Sequence, residues 1–243
     1  MNSKIWNTIF FLLVVITNAL ANLIPINGKT TGEISNQINV LITPAGYAFS
    51  IWSLIYVLIG IWIIRQFVGN RGDSAVYANT TVWFILSSLF NIGWILVWHY
   101  ELFVISVVIM LLYLVSLIML YRKLDESEPD FFDRAPFSIN LGWISVATIV
   151  NIAYVLKVNG WDGFGLTDET WTVIMLVIGA ILAIVFRLKE RDFLYPLVFV
   201  WAYIAIGVKN YGETDLAAYT AFILAGILLV AAIIPWNRRD PVH

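Results

Sequence analysis

The sequence predicts an all-α protein, a polytopic helical bundle with about eight transmembrane helices. Three observations predict it: few charges, apolar runs of spanning length, and a lopsided distribution of Lys and Arg. Of the 243 residues, 60% are apolar and only 12% charged, whereas a soluble domain is roughly 25% charged. Mean hydropathy is +0.85. That balance excludes a water-soluble enzyme, a nucleic-acid binder and a disordered chain, and it makes the lipid bilayer the first partner. The chain has no Cys and a net charge of −2. Disulfides, thiolate metal sites and thiol nucleophiles are therefore excluded, and nothing attracts a polyanion.

Stretches without Asp, Glu, Lys or Arg run over residues 5–28, 34–64, 74–100, 102–121, 135–156, 170–186, 193–208 and 216–237. A spanning helix needs about 20 apolar residues and tolerates roughly 17. The first half of 34–64 holds Asn36, Asn39, Thr43, Pro44 and Gly46 and reads as loop, so the second span is expected to start near Ala48. The runs 170–186 and 193–208 are short, and the positive-inside rule decides them. With eight spans and an inner N-terminus, 11 Lys and Arg lie inside, from Lys4 to Arg238 and Arg239, against 3 outside, Lys29, Lys157 and Lys209. Deleting the two short spans moves Arg187, Lys189 and Arg191 outside and leaves 8 against 6. Eight spans with both termini cytoplasmic, in the cell membrane, is the expected topology. Ala19-Leu20-Ala21 after Lys4 also has the form of a signal-peptide end, but the apolar stretch continues through Ile26 and reaches spanning length.

Between the spans, Asp125-Glu126-Ser127-Glu128-Pro129-Asp130 reads as a solvated hairpin flanked by Arg122, Lys123 and Arg134. It lacks the spacing of a calcium loop. The glycine-rich stretch 159–169 reads as a connector between residues 1–158, holding five spans, and 159–243, holding three. Ala217, Ala221 and Ala225 recur every fourth residue of the last span, which lets helices pack closely.

No ionisable residue stands in the middle of any span, which argues against a proton-driven pump or a retinal protein. His99 lies at the end of the third span beside Glu101, where the two read as an interfacial pair, and His243 is the last residue. Neither suits an axial haem ligand. No catalytic residue, metal set or covalent cofactor is expected.

Aromatic rings and amides remain. Trp83, Ser87, Asn91, Trp94 and Trp98 share one face of the third span, and Asn140, Trp143, Ala147, Asn151 and Tyr154 one face of the fifth. Trp52 and Tyr56 lie one turn apart on the second. Either these groups satisfy one another and fix packing only, or they wall a cavity for an apolar ligand.

These positions resemble the translocator protein / tryptophan-rich sensory protein (TspO/MBR) family. The likeness rests on Pro44-Ala45-Gly46-Tyr47-Ala48-Phe49-Ser50-Ile51-Trp52-Ser53-Leu54-Ile55-Tyr56, on Asn91-Ile92-Gly93-Trp94, and on Trp143, Ala147-Thr148 and Asn151. It covers roughly residues 1–158, a five-helix TspO-like core to which this chain adds three helices. Tyr47 stands where the family has Trp, its paired prolines are mostly absent, and Phe49 to Trp52 is one residue shorter than usual. The resemblance implies a pocket for a porphyrin or other planar hydrophobic ligand, held without metal coordination, a sensory or stress-regulatory role, and a homodimer. It assigns ring faces to Trp52, Trp94 and Trp143, polar contacts to Asn91 and Asn151, a gap to Ala147 and a lid contact to Tyr47, with Tyr56 also among the ligand-binding residues. The sterol pattern attributed to the family fits Val150…Tyr154…Lys157, and equally Leu117…Tyr121…Lys123. The alternative reading is a facilitator-type transporter of a small or lipid-like solute. A third is an enzyme acting on its bound tetrapyrrole, for which no nucleophile–base pair is visible.

Overall fold

The computed structural model describes residues 2–24, 26–69 and 71–234. Arg238, Arg239, His243 and the end of the eighth expected span lie outside the described residues. The helices are α1 (Ser3–Leu23), α2 (Thr31–Ser35), α3 (Ile51–Arg65), α4 (Ala75–His99), α5 (Phe103–Asp125), α6 (Phe131–Val158), α7 (Asp168–Glu190), α8 (Leu194–Asn210) and α9 (Asp215–Ile233). There is no strand among the described residues. Among the described residues, seven helices have spanning length and apolarity when the turn Gly46–Ser50 is counted with α3, and α8, at 17 residues, is shorter. The lipid-facing surface carries large apolar side chains such as Leu12, Val108, Ile181 and Ile223. A surface of that kind is stable only against hydrocarbon.

Helix α6 is the hub, packed against α3, α5, α7 and α8. Eighteen of its 28 residues are buried. By contrast α1 buries only Asn7, Val14 and Ala21, spaced by seven, so it docks along a narrow seam. Helix α8 crosses α6 where Gly142 leaves room: a Cβ there would stand 3.0 Å from Val198 Cβ and 3.2 Å from the Tyr195 carbonyl oxygen. The alanine ladder of α9 is buried as its spacing requires, with Ala217, Ala221 and Ala225 turned inward.

The first loop differs from the sequence reading. Between α1 and the second span, Thr30 and Glu33 form a capping box that starts the short helix α2, the hydroxyl accepting from the Glu33 N–H at 3.2 Å and the carboxylate from the Thr30 N–H at 2.7 Å. The second spanning helix begins at Ile51, after a 3-10 turn over Gly46–Ser50. The acidic run is the solvated hairpin that its charges predict, with Asp125, Glu126, Glu128 and Asp130 exposed and with Lys123 and Arg134 paired to Glu126 and Asp125. Helices α5 and α6 extend into it, since charges are tolerated in the helix turns that leave the hydrocarbon, and Asp130 caps α6 through the Asp133 N–H at 3.0 Å. Asp130 also accepts from Arg65 Nη1 at 2.9 Å and from Arg71 at 3.1 Å, which ties the end of α3 to the start of α6.

The Arg65 hydrogen bond holds the Asp130 carboxyl well below the usual carboxylate range; desolvation opposes it, and Arg71 adds to it. A carboxyl depressed in the folded state stabilises fully above its unfolded pKa of about 4, and that contribution is lost as pH falls through the folded value. The melting temperature in detergent is therefore expected to fall on acidification below about pH 4. Asp130→Asn lowers it at neutral pH and removes this part of the acid dependence.

Candidate functional site: an aromatic hollow under the first loop

In a helix, residues four apart lie over one another, and two such pairs build the site. Trp52 and Tyr56 of α3 stack with ring centroids 5.5 Å apart, and Trp94 and Trp98 of α4 at 5.4 Å, both with planes tilted by 19°. Trp143 of α6 stands edge-on to Trp52 at 6.5 Å and to Phe49 at 5.8 Å, the usual offset geometry of aromatic edges and faces. Between the Trp94 and Trp143 faces lies a hollow of about 50 Å³, lined also by Trp52, Ala147, Asn151 and Met110. Thr31, Phe49, Trp52 and Trp94 also line a larger cleft of about 540 Å³, which α1 walls with Val15, Asn18, Ala19 and Asn22. That volume falls within the roughly 300–1,000 Å³ of small-molecule pockets.

The amides are largely spent on one another. Asn18 Nδ2 donates to Asn91 Oδ1 at 2.9 Å, Asn91 Nδ2 to the Tyr113 hydroxyl at 3.3 Å, and that hydroxyl to Asn140 Oδ1 at 3.3 Å. Trp94 Nε1 donates to Asn151 Oδ1 at 3.1 Å, and Asn151 Nδ2 to Ser106 Oγ at 3.0 Å. Polar side chains at membrane depth need such partners. The amides thus fix the packing, while the rings of Trp52, Trp94 and Trp143 line the hollow.

Of the eight residues singled out from sequence, Trp52, Trp94, Trp143, Ala147 and Asn151 line the hollow. Tyr56 reaches the cleft and, on its other side, a crevice of about 20 Å³ shared with Asn91 and Asn140. Asn91 is 1% exposed and faces that crevice, not the hollow. Tyr47 lines neither; it is 45% exposed and stands edge-on to Trp201 at 5.4 Å. On the tight turn Gly46–Ser50, Phe49 takes the place at the hollow and Tyr47 is turned toward α8. His99 is not paired with Glu101. Its Nδ1 faces the Ile95 carbonyl at 2.7 Å and its Nε2 the Thr31 hydroxyl at 3.5 Å. Glu101 instead accepts from Lys29 at 2.6 Å and from Gln37 at 3.3 Å.

Residues not singled out complete the site. Asn18 supplies the α1 end of the amide row; an Asn inside an apolar helix was the available signal. Thr31, Ser35 and Pro44 cover the hollow from the first loop, a placement that depends on distant partners. Trp98 Nε1 donates to the Thr31 carbonyl at 3.4 Å, and the Tyr154 hydroxyl to the Ile34 carbonyl at 2.9 Å. Helix α8 holds the same loop: Asn210 Nδ2 donates to the Leu41 carbonyl at 2.8 Å and Trp201 Nε1 to the Ala48 carbonyl at 3.0 Å, while the Ala205 carbonyl accepts from the Ala45 N–H at 3.1 Å. Helix α8 therefore positions the cover of the site. Asn210→Ala is expected to speed amide exchange across residues 40–48 while leaving that of α4 unchanged.

This architecture defines a polytopic helical membrane protein with an aromatic hollow roofed by its first long loop. A family model described as TSPO-like protein matches residues 4–234. The chain belongs to the TSPO-like family, and the match takes in the last three helices as well as the first five spans. Comparison with curated proteins and with solved structures gave no match.

Proposed function

We propose that this chain binds a planar hydrophobic ligand of the porphyrin or sterol-like class between its first loop and α3, α4 and α6, in a sensory or stress-regulatory role. The observation that carries the reading is the convergence of Trp52, Trp94 and Trp143, from three helices, on one hollow that adjoins the 540 Å³ cleft. The hollow alone is far too small for a macrocycle. The ligand occupies the cleft with one edge against the Trp52 and Trp94 rings, and the unbranched Met110 side chain on the inner wall can change rotamer to admit that edge. Both His99 ring nitrogens already face protein partners, so the ligand is held by ring faces and not through a metal.

Titration of the purified protein with protoporphyrin tests this. Saturable quenching of tryptophan fluorescence that weakens in Trp52→Leu supports it; unsaturable quenching, equal in the variant, refutes it.

The Lys and Arg asymmetry supports an orientation with both termini in the cytoplasm, and the cell membrane is the location that goes with this reading. Since the chain has no Cys, single cysteines report this directly. Glu126→Cys is expected to react with impermeant maleimide only after the membrane is opened, and Glu213→Cys in intact cells. A second reading, facilitated passage of a small solute, draws support from the amide row that leads from the cleft past Asn91 to Asn140. Flux into reconstituted vesicles separates passage from binding.

A further inference from the structure

A second cavity, of about 220 Å³, lies at the same end of the bundle, between residues 39–41, the last turns of α6, the glycine-rich connector and the start of α7. It shares no lining residue with the aromatic hollow. Its wall includes Lys157, Asp168, Trp161 and Trp171, with Ile152 and Leu156 as the apolar side. Lys157 and Asp168 form an ion pair at the rim with side chains 40% and 60% exposed, and a pair so exposed contributes little and is readily exchanged. Trp161 and Trp171 lie 4.9 Å apart at 54°, the Trp171 N–H held by the Gly163 carbonyl at 2.6 Å.

The connector adds an independent observation. Phe164 is a non-glycine residue with φ of 54°, a left-handed conformation that costs energy for any residue with a Cβ. Asp162 maintains it by accepting the Phe164 N–H at 3.0 Å. The result is an aromatic side chain 80% exposed at the tip of the loop, beside two tryptophans at a helix end, which is the composition of a bilayer interface.

We propose that this cavity binds the headgroup of a zwitterionic membrane phospholipid. The phosphate replaces Asp168 as the partner of Lys157, and the ammonium lies against the Trp161 and Trp171 faces with Asp168 as counter-ion. Aromatic faces attract such cations, and the cation and anion of the rim match the two charges of the headgroup. Phe164 anchors the connector among the acyl chains, and Ile152 and Leu156 receive the first part of a chain. Tyr154 is buried and bonded to Ile34, so it shares no surface with Lys157 and a sterol reading of that pair is not supported.

The test uses the full chain in a non-ionic maltoside micelle, offered equal amounts of phosphatidylcholine and phosphatidylglycerol with identical acyl chains, with bound lipid counted by native mass spectrometry. The expected result is phosphatidylcholine retained over phosphatidylglycerol by about fivefold or more. Trp171→Leu brings the two to parity. The double exchange Lys157→Asp with Asp168→Lys keeps an ion pair for the fold but reverses the charges presented, and it also abolishes the preference. Free glycerophosphocholine at equal concentration leaves the bound lipid in place. Equal retention of the two lipids by the unaltered chain overturns the proposal, as does a preference that survives the double exchange. Displacement by glycerophosphocholine overturns the lipid as occupant. None of these outcomes depends on whether the aromatic hollow binds a tetrapyrrole.

Discussion

Trp143→Ala is expected to weaken protoporphyrin binding by roughly thirtyfold, the equivalent of about 2 kcal/mol. Trp143 is 2% exposed, and its ring forms one wall of the hollow while bracing Trp52 and Phe49 edge-on. Removing it deletes a ring face and frees the two rings that it orients. Trp143→Phe keeps a ring and loses less, so the order of affinities is unaltered chain, then Phe, then Ala. Asn91→Ala gives the contrast. Asn91 joins Asn18 to Tyr113 and faces the crevice, not the hollow. Its loss removes the hydrogen bonds to Asn18 and Tyr113, which keep those to the Val14 carbonyl and Asn140, at a stability cost of about 1 kcal/mol in a membrane setting, and changes affinity much less than Trp143→Ala. Quenching titrations and detergent melts on the same three variants check both halves.

Gly142→Leu is expected to lower the melting temperature by roughly 5 °C or more, since forcing volume into a close-packed contact costs about 1–3 kcal/mol. The first added carbon meets Val198 Cβ at 3.0 Å and the Tyr195 carbonyl oxygen at 3.2 Å, and one of these is backbone. The only relief is to push α8 away from α6. Because α8 holds the first loop through Trp201, Ala205 and Asn210, the same variant also weakens binding, although Gly142 does not line the hollow. Gly226→Ala in α9 is the control. A Cβ there meets nothing within 4 Å, and the change is neutral or slightly stabilising through helix propensity. A melting temperature for Gly142→Leu within a degree of the unaltered chain would show that α6 and α8 are not in the contact described.

The helical framework was legible because hydrocarbon imposes it: each span must be apolar, long enough and internally hydrogen-bonded. The faces were legible for the same reason, since Asn91, Asn140 and Asn151 have no place against lipid, and their spacing carries Trp94 and Trp143 to the same side. The roles within those faces were not. Nothing in the spacing says that Asn91 is taken by Asn18 and Tyr113, because Asn18 lies 73 positions away on α1. The roof was least legible. Tyr47 and Phe49 are two residues apart on a 3-10 turn, and which ring turns inward depends on Ala45, Ala48 and their partners on α8. The capping box at Thr30 was a local signal open to reading, whereas the clamp of Asp130 on Arg65 and Arg71 joins residues about 60 positions apart.

The most direct test of the aromatic hollow is a crystal structure of the full chain with protoporphyrin bound. Macrocycle density is expected against the Trp52 and Trp94 rings, with an edge directed between Trp94 and Trp143 and the first loop still closed over it through Thr31 and Pro44. Density on the lipid-facing surface, or in the groove between α3 and α8, with the space between Trp94 and Trp143 unchanged, would contradict it.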